Sequence, residues 1–198
     1  AVKVLDLKVH FPHKILFIYN MKNNIVLANQ EKIKNMVNRI SCEILESVSS
    51  YESLVLIGIK TRGEFLSKRI KEQIKNNKSI DIPEGTIDIT FHRDDFSNKF
   101  IVPKLGVSRI PLDLTDKHVV LIDDVLYSGR TIRAAIDEVF SFGRPKSIKL
   151  AVLVDRGHRE LPISPDFVGK NFPTQLNEHI VVHMLEIDSS DEIIKVAK

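Results

Sequence analysis

The chain of 198 residues is long enough for one well-filled core and too short for two ordinary domains. Apolar residues at 43% and charged residues at 28% exclude a disordered chain, and a net charge of only +3 excludes a polybasic tail. The single cysteine, Cys42, excludes a disulfide scaffold and a cysteine-based zinc site, and it is typical of a reducing cytoplasm. No apolar run approaches the roughly 20 residues that cross a bilayer. We therefore expect one soluble cytoplasmic domain without a membrane partner.

Residues 1–20 differ from the rest of the chain. They precede Met21, the first methionine, and their apolar stretch Ile15–Tyr19 follows Pro12 and has no small-residue cleavage pattern after it. This pattern is a poor match to a signal peptide. We expect residues 1–20 to be an extension outside the core of a single domain over residues 21–198. The alternative is an extra strand or arm that packs on a partner subunit.

From Asn29 onward, helical and strand patterns alternate. Asn29 can cap a helix whose apolar residues recur at helical spacing as far as Val48. The apolar run Leu54–Ile59 is typical of a strand that is buried on both faces. The later patterns predict a helix over 63–76, a strand over Gly85–Phe91, a long loop over 92–113, a strand over Val119–Ile122, a helix over 130–142 and a strand over Ile148–Val154. This alternation predicts an α/β fold with a mostly parallel sheet.

The most informative stretch is VVLIDDVLYSGRT, from Val119 to Thr131. A buried strand ends in Asp123 and Asp124, and the loop that follows opens a helix. Ligands of open α/β sheets bind beyond the carboxyl ends of the strands. The free N–H groups at a helix N-terminus attract phosphate, and Gly129 lets the backbone approach the anion closely.

The two carboxylates could accept hydrogen bonds from the hydroxyls of a ribose, or they could bind a hydrated Mg²⁺ ion. Together with the phosphate cradle they describe a site for a ribose 5-phosphate. The string matches neither G-x-x-x-x-G-K-[ST] nor G-x-G-x-x-G. The alternative is that Asp123 and Asp124 are solvated residues at a strand end before an ordinary helix start. The complete string, between a strand and a helix, favours the ligand site.

Four stretches resemble motifs of the type I phosphoribosyltransferases, in the same order along the chain. VVLIDDVLYSGRT resembles the phosphoribosyl pyrophosphate (PRPP) signature of that family, and Ile59–Gly63 resembles its pyrophosphate loop. Asp88–Asp95 resembles the strand that leads into its flexible lid. Residues 150–174 closely resemble the base-binding hood of one branch, the PyrR family of bifunctional pyrimidine operon attenuation regulators and uracil phosphoribosyltransferases. The resemblance runs from about Asn29 to the C-terminus.

The resemblance implies the type I phosphoribosyltransferase fold, with a mostly parallel central sheet flanked by helices, a lid over about 92–113 and a small C-terminal hood over about 155–180. It implies transfer of ribose 5-phosphate from PRPP to N1 of uracil, which gives UMP and pyrophosphate. It implies Mg²⁺ as the cofactor, bound mainly through PRPP near Asp123 and Asp124. It also implies a homodimer or a higher homo-oligomer.

The resemblance assigns roles residue by residue. Asp123 and Asp124 hold the ribose hydroxyls, and the 5′-phosphate is bound by Tyr127, Ser128, Gly129, Arg130 and Thr131. The pyrophosphate is bound by Lys60, Thr61, Arg62 and Gly63, in a loop that often contains a non-proline cis peptide. Arg93 meets the pyrophosphate when the lid closes, so the catalytic set is Asp123, Asp124, Arg62 and Arg93. Solvated charged loops are the alternative for Arg62 and Arg93.

Base recognition and RNA binding have weaker signals. The base is expected near Val154, Arg156, Ile180 and Val181, although residues 180–182 also fit another core strand. In the regulator branch, a Thr-Arg…His pattern on the first helix contacts an mRNA leader. Here that pattern retains only Arg39, because Asn38 and Cys42 replace the other two residues. Arg39 and Arg159 are the main candidates for RNA contact, and the other basic candidates are Lys34, Arg156 and Lys170.

Four functions therefore remain open. The first is a uracil phosphoribosyltransferase, and the second is an RNA-binding attenuation regulator, which the same chain can combine with the enzyme. The third is a PRPP sensor with little catalysis. The fourth is a purine phosphoribosyltransferase, because residues 165–169 are also similar to purine-salvage relatives.

Overall fold

A computed structural model describes residues 24–89 and 107–197. Its elements in chain order are β1 (Ile25–Asn29), α1 (Gln30–Glu46), a short 3₁₀ turn (Tyr51–Ser53), β2 (Leu54–Ile59), α2 (Arg62–Lys78), β3 (Glu84–Ile87), β4 (His118–Leu126), α3 (Arg130–Phe140), β5 (Ser147–Asp155), β6 (Phe167–Asn171), β7 (Glu178–His183), α4 (Leu185–Asp188) and β8 (Glu192–Ala197). The predicted extension over residues 1–20, residues 92–106 of the predicted lid, and Arg93 lie outside the described residues.

A five-stranded parallel sheet in the order β3-β2-β4-β5-β6 forms the centre of the fold. All six residues of β2 are buried. Their burial follows from a position between two neighbouring strands and between two layers of helices. The predicted α/β class with a mostly parallel sheet is confirmed.

Helices cover both faces of this sheet. On one face, α1 and α2 pack through apolar residues spaced three or four positions apart, such as Ile40 and Ile44 of α1 and Ile70 of α2. On the other face, α3 packs through Ala135 and Val139. The buried apolar residues on the two faces of the sheet form two separate clusters. Each cluster contains every second residue of β2 and β4, because successive side chains of a strand point to opposite faces.

The strand that leads into the PRPP motif is longer than predicted. The pattern Val119–Ile122 predicts a strand that ends at the two aspartates, but β4 continues to Leu126. The extension forms because Val125 and Leu126 pair with the end of β5, opposite Val154 and Asp155. The two aspartates therefore lie within the strand and share its fixed backbone.

A second, smaller sheet is antiparallel, in the order β1-β8-β7, and forms the hood. It takes strands from both ends of the described chain. Within the predicted hood range of about 155–180, β6 joins the central sheet as its edge strand, whereas β7 joins the small sheet. In the part of the chain that the structure describes, no helix has the length and apolar character needed to cross a membrane.

The start of α1 offers a stability test. The side-chain oxygen of Asn29 accepts a hydrogen bond from the backbone N–H of Lys32 at 3.1 Å. Replacing a capping Asn by Ala costs about 1 kcal/mol, since a donor at the helix start loses its acceptor. We expect Asn29→Ala to lower the free energy of unfolding in urea by about that amount.

The control for this test is Asn29→Ser, which keeps a capping oxygen and should stay close to the wild type. Equal stability of the Ala and Ser variants would show that the cap contributes nothing.

Candidate active site

A cavity of about 590 Å³ opens at the carboxyl edge of the central sheet. Parallel strands end at the same edge, so the residues that follow β2, β3, β4 and β5 meet there. The cavity is lined by Lys60, Thr61, Arg62, Asp88, Ile89, Asp123, Asp124, Val125, Leu126, Tyr127, Ser128, Gly129, Arg130, Thr131, Ile132, Arg156, Glu160 and Ile180. The fold thus brings the predicted pyrophosphate loop and the predicted phosphate cradle to one site.

The phosphate cradle is the turn between β4 and α3. Gly129 adopts a φ of 93°, in the left-handed region that favours glycine, and α3 starts at the next residue. The backbone N–H of Arg130 donates to Oγ of Ser128 at 3.4 Å, and the N-cap residue Gly129 has no side chain to cap this end of α3. Its first backbone N–H groups are outside the helical hydrogen-bond ladder, and the helix dipole favours a negative charge beside them. The turn is therefore suited to bind a phosphate.

A second loop, over residues 156–163, holds the cradle in place. The carbonyl oxygen of Ser128 accepts hydrogen bonds from the backbone N–H groups of Glu160, at 3.0 Å, and Leu161, at 3.1 Å. The Nε atom of Arg130 donates to Oε2 of Glu160 at 2.6 Å. These contacts fix the shape of the cradle before any ligand arrives, which reduces the entropy lost on binding.

Arg159 also braces this region but does not line the cavity. Its guanidinium donates to Oδ2 of Asp155 at 2.6 Å and to the carbonyl oxygens of Tyr127 and Ile163, both at 2.9 Å. These bonds join the loop after β5 to the end of β4. Arg159 therefore holds the loop after β5 against the end of β4 without lining the cavity itself.

Two carboxylates, those of Asp123 and Asp124, line the cavity. Asp123 is only 7% exposed, and its Oδ1 accepts the backbone N–H of Asp124 at 2.9 Å. Burial raises the pKa of the Asp124 carboxyl, against the opposing effects of a hydrogen bond with Asp123 and the positive charge of Arg62. The fold therefore holds Asp124 where its charged form is disfavoured, which is typical of a group that acts on a ligand.

The predicted pyrophosphate loop joins β2 to α2. The peptide bond between Lys60 and Thr61 is cis, as the family resemblance implies. The Nζ atom of Lys60 lies 3.8 Å from Oδ2 of Asp88 and donates to the carbonyl oxygen of Val107 at 3.0 Å. Gly63 packs directly beneath the loop, where a Cβ atom would overlap the carbonyl oxygen of Ile122. This glycine allows the loop to approach β4 closely, and its contact with pyrophosphate stays a prediction.

At the other end of the cavity, Arg156 stacks on Tyr127. The guanidinium carbon lies 4.1 Å from the ring centre, within the range of a cation–π contact. Arg156 also donates from Nε to the hydroxyl of Thr174 at 2.9 Å and from Nη2 to the carbonyl oxygen of Glu178. Only 5% of Arg156 is exposed, so this arginine is a fixed wall of the site.

Of the four residues predicted to bind the base, two line the cavity and two do not. Arg156 and Ile180 line the cavity, whereas Val154 is fully buried in the core. Val181 does not line the cavity, because neighbours on β7 point to opposite faces of the sheet. The assignment of these four residues to the base remains a prediction.

Asp88 and Glu160 are two charged lining residues that were not predicted as site residues. Asp88 has a sequence signal only once the strand is known to end at Ile87, because the predicted strand over Gly85–Phe91 contains it, whereas β3 leaves it at the edge where parallel strands end. No pattern in the sequence indicates Glu160 as a site residue. Its place depends on the contact with Arg130, which only the folded chain reveals.

The chain matches the family described as the phosphoribosyl transferase domain over residues 26–186. It is 56% identical over 169 residues to a protein named Bifunctional protein PyrR from Latilactobacillus sakei, covering 84% of this chain and 94% of that one. It is 50% identical over 175 residues to the protein of the same name from Oceanobacillus iheyensis, covering 87% and 97%. The chain belongs to the PyrR family of phosphoribosyltransferases. The expected membership is therefore confirmed.

Solved structures show the same fold beyond the PyrR family. Hypoxanthine phosphoribosyltransferase from Staphylococcus aureus superimposes with a TM-score of 0.65 at 18% identity, over 92% of this chain and 96% of that chain. A hypoxanthine-guanine-xanthine phosphoribosyltransferase gives a TM-score of 0.64 at 16% identity, over 91% and 96%. At this level of identity the likeness shows the fold alone.

The raised pKa of Asp124 predicts a pH-dependent stability difference. An acid with a raised pKa in the folded state binds more protons there than in the unfolded state, so its contribution to stability falls as pH rises through the interval between the two pKa values. Asp124→Asn removes this contribution. We expect the stability of the variant relative to the wild type to increase from about pH 4 to about pH 7.5, measured by urea unfolding without ligand.

A variant that loses relative stability over the same pH range would contradict the burial argument. Asp137→Asn is the matched control, because this aspartate lies on the exposed surface of α3 beside Arg133. Its stability difference should show little dependence on pH over this range.

Proposed function

We propose that the protein is a uracil phosphoribosyltransferase that converts uracil and PRPP into UMP and pyrophosphate. One observation carries this proposal: a single cavity combines a helix N-terminus built for a phosphate, two strand carboxylates and a lysine–arginine loop. These are complementary to the three parts of PRPP, namely the 5′-phosphate, the ribose diol and the pyrophosphate. The relatives named Bifunctional protein PyrR support the same reading.

In this proposal, the chain acts mainly by positioning the reactants and stabilising charge. The bond between C1′ of the ribose and the pyrophosphate oxygen breaks, its electron pair leaves with the pyrophosphate, and a bond forms between C1′ and N1 of uracil, which loses its proton. Lys60 and Arg62 face the growing negative charge of the leaving group. Asp123 and Asp124 accept hydrogen bonds from the ribose hydroxyls and hold C1′ toward the base.

The residues present fit a magnesium ion that arrives with PRPP. Asp123 and Asp124 would supply oxygen ligands of the kind that Mg²⁺ prefers. Across residues 24–89 and 107–197, however, no three acidic, histidine or cysteine side chains are grouped closely enough to hold a metal ion. The oxygens of PRPP would therefore complete the coordination. When bound, the ion would neutralise charge on the pyrophosphate.

The uracil ring is proposed to bind between Ile180 and the stacked pair formed by Tyr127 and Arg156. This end of the cavity offers an apolar surface and a fixed aromatic ring, which suit a flat heterocycle. Arg93 is proposed to meet the pyrophosphate on lid closure, and this residue lies outside the described part of the chain.

The experiment that tests this function measures UMP formation from radiolabelled uracil with PRPP and Mg²⁺, with hypoxanthine and guanine assayed in parallel. We expect turnover of uracil alone. Turnover of hypoxanthine or guanine instead of uracil would show that the substrate is a purine base. Binding of PRPP without turnover of any base would favour a sensor or regulator.

Asp124→Asn tests the carboxylate assignment directly. We expect UMP formation to fall by at least about tenfold, equivalent to about 1.4 kcal/mol of activation free energy, because a ribose contact is weakened. The surface variant Asp137→Asn should keep wild-type activity. Near-normal activity of Asp124→Asn would reject the assignment.

We also propose that the protein binds an mRNA leader and regulates pyrimidine genes, since its relatives are named bifunctional. The contacts of the described residues favour Arg39 and Lys170 over Arg159 as residues that contact RNA. Arg159 is occupied within the loop after β5, whereas Arg39 is exposed on α1 and Lys170 is exposed on the neighbouring strand β6. Arg39 also donates to the carbonyl oxygens of Val168 and Gly169. It therefore serves both as a surface charge and as a link between α1 and β6.

RNA binding can be tested by replacing Arg39 in two ways. Arg39→Ala should weaken binding of the leader transcript, and the slope of log K against log salt should become shallower by about one unit. Arg39→Lys should retain most of the affinity, because the charge is kept. Both variants should make UMP at the wild-type rate. Equal affinity of all three proteins would remove this surface from consideration.

We further propose that the protein works in the cytoplasm as a homodimer or higher homo-oligomer. The single cysteine, exposed on α1, fits a reducing compartment. Light scattering after size-exclusion chromatography measures the oligomeric state, and a monomer at all concentrations would contradict the proposal.

A further inference from the structure

The C-terminal segment between β7 and β8, residues 184–191, forms an acidic strap against α2. Two arginines of α2, Arg62 and Arg69, point toward this strap and are seven residues apart, which places them two turns along the same face of the helix. The strap therefore joins the hood to the helix that begins in the pyrophosphate loop.

Arg62 is held by Asp188. Its Nη2 atom donates to both carboxylate oxygens, at 3.0 Å and 3.1 Å, and Oδ2 of Asp188 also accepts the backbone N–H of Met184 at 3.0 Å. Although burial opposes the charged form, the Met184 N–H and the Arg62 guanidinium together lower the pKa of Asp188. Asp188 is thus a charged acceptor at neutral pH.

Arg69 is held in a closely similar way by the same strap. Its Nη1 and Nη2 atoms donate to Asp191 at 3.0 Å and 2.7 Å, and Oδ1 of Asp191 accepts the backbone N–H of Leu185 at 2.9 Å. Arg69 also contacts Glu186, at 2.6 Å and 2.8 Å. Each aspartate therefore pairs with an arginine of α2 and receives a backbone N–H at the start of α4.

The two pairs differ in one respect that matters for function: Arg62 lines the cavity and Arg69 does not. Asp188 engages only Nη2 of Arg62. The Nε atom of Arg62 is buried and has no hydrogen-bond partner among the described residues. An arginine side chain loses much rotamer freedom when it is fixed, so a carboxylate that fixes it in advance favours binding of an anion.

We propose that Asp188 is a positioning residue, which orients the Arg62 guanidinium so that its remaining N–H groups meet the pyrophosphate of PRPP. This inference rests on the proposed function. It gives the hood a second role, because a residue of the strap between its strands β7 and β8 sets the orientation of an arginine of the pyrophosphate loop.

The test compares Asp188→Asn with Asp191→Asn. Asparagine can still accept the backbone N–H through its amide oxygen, so each variant removes the charge that holds one arginine and keeps the turn. We expect Asp188→Asn to lower kcat/KM for PRPP by at least about tenfold, to weaken calorimetric binding of pyrophosphate with Mg²⁺ similarly, and to change KM for uracil by less than about twofold.

Asp191→Asn should lower the melting temperature as much as Asp188→Asn or more, because it loses an equally close contact. It should leave kcat/KM for PRPP within about twofold of the wild type. A loss of PRPP efficiency that follows melting temperature equally in both variants would show a purely structural strap and overturn the proposal. So would wild-type PRPP kinetics and pyrophosphate binding in Asp188→Asn.

A double-mutant cycle keeps the proposal testable if Asp188→Asn is poorly stable. In an Arg62→Ala background, Asp188→Asn should cause no further loss of pyrophosphate affinity, since the residue that it orients is gone. An equal further loss in that background would contradict positioning through Arg62. Failure of the wild type to bind PRPP and to form UMP would instead reject the proposed function itself.

Discussion

Parallel pairing of β4 with β2 on one side and β5 on the other is the constraint on which the site depends. Because all three strands run in one direction, the segments that follow them emerge at one edge of the sheet. The lysine–arginine loop follows β2, the phosphate cradle follows β4, and Arg156 follows β5. A change of register would move the two aspartates of β4 relative to both neighbours.

The cavity combines positive and negative groups in a way that suits a ligand with both anionic and hydroxyl parts. Lys60 and Arg62 are proposed to supply positive charge for the pyrophosphate, Asp123 and Asp124 to accept hydrogen bonds from hydroxyls, and Arg156 to lie beside the base. Several of these groups are already held by contacts outside the cavity. Arg62 is bound to the strap, Arg156 to the hood, and the cradle to the loop over 156–163. The binding groups are therefore ordered before the ligand arrives, which is how a fixed site favours the transition state.

Much of this arrangement could be predicted from the sequence, because the decisive signals are local. The run from Val119 to Thr131 carries the strand, the turn and the helix start together, and parallel α/β topology determines which edge they share. Contacts between distant segments could not be predicted. Arg130 pairs with Glu160, Arg159 donates to the carbonyl oxygen of Tyr127, and Arg62 pairs with Asp188, across separations of 30, 32 and 126 positions. Charged residues alone do not specify these partners. The end of β4 was also missed, because strand length depends on pairing with β5.

The central claim is that this cavity recognises a pyrimidine ribose 5-phosphate through its phosphate cradle. Isothermal titration calorimetry with UMP, uridine and IMP tests it most directly, because UMP and uridine differ only in the phosphate, and UMP and IMP differ only in the base. The account predicts that UMP binds at least about 100-fold more tightly than uridine, equivalent to about 2.8 kcal/mol, and more tightly than IMP. Equal binding of UMP and uridine would contradict the role of the cradle, and preference for IMP would contradict the pyrimidine assignment.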